Sequence, residues 1–122
     1  MDIKRKEDIT HKLPSGRSED NYHYALSDKI FHTKQLFVYS EKVQAGKKSS
    51  APHFHSAIDE VIYVTKGELS AYEGNDSVIL KEGDSICFYA KSNEKHYLEN
   101  KSKDDAEFLI IRRSIPNDDV VY

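Results

Sequence analysis

From residue 34 onward, short apolar runs rich in Val, Ile, Tyr and Phe alternate with turn clusters. The runs are Gln35–Ser40, Glu60–Thr65, Glu68–Tyr72, Ser77–Leu80, Ser85–Tyr89, Tyr97–Glu99 and Glu107–Arg112. Between them lie Ala45-Gly46-Lys47, Lys66-Gly67, Glu73-Gly74-Asn75-Asp76, Lys81-Glu82-Gly83-Asp84 and Lys101–Asp105. Strands of four to eight residues with turns at this spacing predict an all-β sandwich or barrel. No long amphipathic helix competes with that reading. Residues 1–33 are polar, carry Pro14 and Gly16, and show little periodicity. They are expected to form an arm or irregular segment. The barrel is expected over 34–113, and residues 114–122 as a tail.

The chain has 122 residues, enough for one domain with one core. Its apolar fraction of 38% predicts a thin core, which favours support from a second subunit. A homodimer is therefore expected, with Tyr22 and Tyr24 of the arm packing across the partner. The balance of 18 basic and 21 acidic residues offers no basic face for nucleic acid. The start of the chain lacks the apolar region of a secretory signal. No run approaches the ~18 apolar residues of a membrane helix. The chain is thus read as cytoplasmic and without a membrane partner. The single cysteine, Cys87, rules out an internal disulfide or a cysteine-rich metal site, and reads as a buried, inert thiol.

The histidines divide into two groups. His11, His23 and His32 lie in the polar N-terminal part and read as surface or structural. His53 and His55 are two apart, so on an extended strand both rings share one face. Glu60 opens the run Glu60-Val61-Ile62-Tyr63-Val64, where Glu60, Ile62 and Val64 share the inward face. A lone carboxylate pointing into a core is costly unless it is paired or bound to a metal. Two imidazoles and a carboxylate make the facial set of non-haem iron sites, and His96 offers a third imidazole from a later strand.

Gly46-(six residues)-His53-Phe54-His55-(four residues)-Glu60-(six residues)-Gly67 resembles the first motif of the cupin family. The stretch Gly83-Asp84-Ser85-Ile86-Cys87-Phe88, followed by His96-(three residues)-Asn100, resembles the second. The resemblance covers about residues 34–113. It implies a double-stranded β-helix, the jelly-roll-like cupin barrel, after an irregular N-terminal segment. It also implies one divalent transition metal (Mn, Fe, Ni, Co or Zn) held by His53, His55, Glu60 and His96, with Asn100 serving a turn. Two features depart from the family pattern. One residue is added after Gly46. Tyr89-Ala90-Lys91 replaces the usual Pro-x-Gly, and the segment to His96 is two residues longer, which predicts a mobile loop over Ala90–Lys95.

Four protein ligands on a six-coordinate metal leave two positions for water or a small molecule. The expected ligand is oxygen-rich: a sugar, a sugar phosphate or a carboxylic acid. Three roles stay open: a metal-dependent isomerase, dioxygenase or decarboxylase; a non-catalytic binding module; and a barrel that the metal merely braces. Lys91 and Lys95, balanced by Glu94, make the loop tip mildly attractive to a carboxylate or phosphate, although a solvated pair is the plainer reading.

Overall fold

The computed structural model describes residues 1–122 as ten β-strands and two single-turn 3₁₀ segments, Lys6–Asp8 and Glu19–Asn21. The strands are β1 (Leu26–His32), β2 (Leu36–Val43), β3 (Phe54–His55), β4 (Glu60–Lys66), β5 (Glu68–Glu73), β6 (Asp76–Lys81), β7 (Ser85–Phe88), β8 (His96–Glu99), β9 (Ala106–Arg113) and β10 (Val120–Val121). One sheet runs β1-β2-β9-β4-β7, a second runs β6-β5-β8, and β10 pairs with β3. All pairings are antiparallel.

Each of the seven expected runs is a strand. Along β4 the alternation is strict, with Glu60, Ile62 and Val64 buried and Val61 and Tyr63 exposed. Gly67 makes the tight turn into β5 at φ 75°, a left-handed conformation suited to glycine. A side chain there would also meet the Asp105 carbonyl and Ala106 at 3.0–3.2 Å. The core lies between the sheets, where Val43, Val64, Leu69, Phe88, Leu98 and Phe108 pack together. It is thin, as the composition implied, with 17 of 122 residues buried.

Two expectations about the ends of the chain need correction. The N-terminal part is not irregular throughout, because β1 pairs with β2 over most of its length. Its Ser27, Asp28, Lys29 and His32 hid the strand behind polar side chains, as expected for the edge of a sheet. Residues before β1 also dock on the sheet. His11 Nε2 lies 2.8 Å from Ser40 Oγ, and Lys12 exchanges backbone hydrogen bonds with Ser27. His32 contacts Ser114 Oγ at 3.1 Å, so both histidines have structural partners. The C-terminal part is likewise more than a tail, since β10 pairs with the strand that carries His55.

Cys87 is only partly buried. Burial, followed by the negative charge of Asp59 and Glu73, raises its pKa and keeps the thiol protonated. The inert reading stands, with less burial than expected.

Candidate metal centre

His53, His55, Glu60 and His96 converge on one point, each offering a ligand atom within 4.8 Å of the others. Their elements explain the convergence. β3 carries His55, β4 opens with Glu60, and β8 opens with His96. His53 and His96 exchange backbone hydrogen bonds of 3.2 and 2.8 Å, which locks two of the donors side by side. Asn100 anchors the far end of the same segment. It is fully buried, donates from Nδ2 to the carbonyls of Val43 and Asp104, and accepts from Ser102. This is the turn role expected of it.

The longer segment before His96 does not displace that ligand. Lys91 and Asn93 take left-handed conformations, with φ of 59° and 60°. Lys91 N–H donates to the His55 carbonyl at 2.9 Å, and Ala90 N–H donates to Asp59 Oδ1 at 2.8 Å. The loop expected to be mobile is thus tied to the strand ends that carry the ligands. Neither Lys91 nor Lys95 lines the cavity described below.

Hydrogen bonds on the outer nitrogens set the inner ones for ligation. His53 Nδ1 lies 2.9 Å from the Ala51 carbonyl, which can only accept. His55 Nδ1 lies 2.7 Å from Asp118 Oδ2, an acceptor when ionised. Both Nδ1 atoms therefore carry protons, and both Nε2 atoms of the neutral rings present lone pairs inward. Nε2 of His53, His55 and His96 lie 3.6, 3.0 and 2.7 Å from Glu60 Oε1. His55 Nε2 is buried yet makes no hydrogen bond, despite its short distance to that oxygen. Its lone pair is therefore available to a bound cation. The His96 ring stacks on Phe88 with centroids 4.0 Å apart, which fixes its plane.

The electrostatics favour positive charge at this point. Burial would raise the Glu60 pKa, but the three imidazoles facing it outweigh that effect and hold the carboxyl well below the usual range. Burial opposes charge on His55 as well, and is outweighed by Glu60 and Asp118, so its pKa rises. Three imidazoles and one carboxylate, with the tautomers of His53 and His55 set from outside and two ring nitrogens, His55 Nε2 and His96 Nδ1, buried without a hydrogen-bond partner, fit a divalent transition metal.

The cluster sits in a cavity of about 230 Å³ between the sheets. Phe37, Glu41, Phe88, Ile110 and Arg112 line it, and Val120 and the exposed Tyr122 stand at its C-terminal rim. Sequence reading missed Glu41, Arg112 and Asp118. Period-two parity was the available signal for the first two. Glu41 follows Phe37 and Tyr39 on one face of β2, and Arg112 follows Phe108 and Ile110 on one face of β9. Asp118 lies in a stretch with no periodicity to reveal it.

A profile of the cupin domain matches residues 39–112, more than half of the chain. The chain belongs to the cupin family. Among solved structures it resembles a sugar phosphate isomerase of the cupin superfamily from Silicibacter pomeroyi, with a TM-score of 0.86 and 22% identity over 99% of this chain and 81% of that one. The polyketide cyclase RemF from Streptomyces resistomycificus gives 0.79 and 16%, covering 100% of this cupin and 86% of the cyclase. The protein TT1209 from Thermus thermophilus gives 0.76 and 20%, covering 95% and 100%. At these identities the likeness is one of fold. A search of curated proteins finds no match.

Proposed function

We propose that this cupin is a metal-dependent enzyme that isomerises a small oxygen-rich molecule by moving a proton between neighbouring carbons. The observation that carries the reading is a second carboxyl group, Glu41, lining the same cavity as the four metal-ligand candidates. His53, His55, Glu60 and His96 would hold one divalent metal. When bound there, it would supply Lewis-acid polarisation of a carbonyl or hydroxyl oxygen.

Glu41 has what a proton carrier needs. Burial pushes its pKa up to about 7, against the opposing pull of the Ser27 side chain and the Arg112 charge. In the metal-free protein its carboxyl is therefore divided between acid and base forms at neutral pH, the condition under which proton transfer in both directions is efficient. In the proposed step its carboxylate takes the proton from a carbon next to the carbonyl and returns it to the former carbonyl carbon. The hydroxyl proton crosses to the other oxygen, so the substrate gains and loses nothing. The apolar walls formed by Phe37, Phe88 and Ile110 limit exchange of that proton with water. The fold likeness to a sugar phosphate isomerase adds weight to this class over the dioxygenase and decarboxylase alternatives.

The test is to incubate the metal-loaded protein in D₂O with aldose and ketose phosphates, hydroxy acids and keto acids. NMR would follow both interconversion and deuterium uptake at carbon. Turnover that disappears in Glu41→Gln and on metal removal is expected. Metal-dependent binding with neither interconversion nor exchange would reduce the protein to a binding module.

A further inference from the structure

Arg112 is inward-facing but in direct contact with no carboxylate. It lies opposite Glu60 in the β4–β9 register and opposite Phe37 in the β2–β9 register. Its neighbour Glu60 faces the three imidazoles, and Arg112 itself forms no ion pair. The guanidinium instead rests over the Phe37 ring, 3.9 Å from its centroid. Its Nε is buried without a hydrogen-bond partner. An unpartnered buried donor on a permanently charged group is costly to leave in that state. Both Arg112 and Phe37 line the cavity that holds the metal-ligand candidates.

From these contacts we infer that Arg112, held flat on Phe37, is the anchor for a terminal oxyanion of the ligand whose other end reaches the metal. The inference rests on the proposed function and narrows its substrate class to molecules with an oxygen-rich chelating end and a separate carboxylate or phosphate. A guanidinium suits this role because its planar fork meets two oxygens of such a group at once. The Phe37 face fixes the plane of the fork beforehand, reducing the freedom lost on binding. Scale agrees with a compact ligand. β4 and β2 flank β9, so Glu60 and Phe37 stand about two strand spacings, or roughly 10 Å, apart. A cavity of about 230 Å³ is also smaller than the roughly 300–1,000 Å³ of sites for drug-sized ligands. Charge agrees too: a divalent metal and Arg112 together outweigh the two carboxylates of the cavity, Glu60 and Glu41.

The experiment uses calorimetry on metal-loaded protein and two matched pairs of probes. D-ribose 5-phosphate against D-ribose reads the preference for a phosphate. Malate against lactate reads the preference for a second carboxylate. In the unmodified protein the member with the additional oxyanion should, in at least one pair, bind ten- to a hundredfold more tightly, and the stronger pair identifies the oxyanion. Arg112→Gln should remove that preference while metal content and affinity for the weaker member stay the same. Arg112→Lys keeps the charge without the fork and should recover only part of the preference. Circular dichroism melts of both variants check that the barrel is intact. An equal preference in Arg112→Gln, or no preference in the unmodified protein, would overturn the assignment of Arg112. Failure of the proposed function would look different: no metal held, or no deuterium exchange even where Arg112-dependent binding is found.

Discussion

Asp118 joins the C-terminal segment to the metal-ligand candidates through His55, whose Nδ1 it meets at 2.7 Å, while its other oxygen accepts the Ala57 N–H at 2.9 Å. One carboxylate thus orients the imidazole and pins the backbone just beyond it. Carboxylates in this position fix the tautomer of a ligating histidine and raise its basicity. Asp118→Asn can still accept from Ala57 but presents an amide donor to Nδ1, favouring the wrong tautomer. We expect metal affinity to fall about ten- to a hundredfold, as for other partners of this kind. A chelator competition titration measures it. Unchanged affinity would mean that Asp118 only fastens the chain end.

The four-donor group should carry about one equivalent of divalent transition metal per chain, measured by elemental analysis after expression in supplemented medium. His53→Ala/His55→Ala should leave the protein essentially metal-free. Acid should strip the metal as well, because an imidazole must be neutral to coordinate. Occupancy is expected to fall progressively as pH is lowered, as protons compete with the metal for the imidazole nitrogens. Retention of full occupancy in the double variant would contradict ligation by these residues.

A homodimer is expected, and the outer face of the larger sheet offers a surface for it. In the strand register Val38, Ile111, Val61 and Cys87 form one row across β2, β9, β4 and β7. Val61 is 37% exposed and Tyr63, on the same face of β4, 42%. Light scattering should give about twice the 14.0 kDa chain mass. Val61→Lys, which places a charge in the middle of the row, should shift the mass toward the monomer. A monomer at micromolar concentration for the unmodified chain would refute the expectation.

The strands that build the barrel were legible because each has a buried face, and burial writes itself into sequence as alternation. Glu60 stood out for the same reason, as a charge at an apolar position of a clear pattern. β1 was hidden because an edge strand can carry polar residues at many positions. β3 and β10, at two residues each, are too short to show a period. Glu41 fell just past the apparent end of an apolar run, at Ser40, although β2 continues to Val43. Asp118 acts through a contact 63 residues distant in sequence, which local pattern cannot reveal.

Glu41 should leave a signature in stability as well as in turnover. Its folded-state pKa of about 7 lies above the ordinary 4.5, so between these values the folded protein binds more protons than the unfolded chain. Stability contributed by the neutral carboxyl is therefore fully present below about pH 4.5, declines as pH rises, and is lost above about pH 7. The difference corresponds to roughly 3–4 kcal/mol. Glu41→Gln keeps the shape and hydrogen-bonding capacity without the ionisation. In chelator-containing buffer, the variant should match the unmodified protein near pH 4.5 and exceed its stability increasingly up to pH 7, with a constant gap beyond. Urea unfolding across this range measures it. A gap independent of pH would place Glu41 in a solvated environment with an ordinary pKa, and would remove the physical basis for its role as the proton carrier.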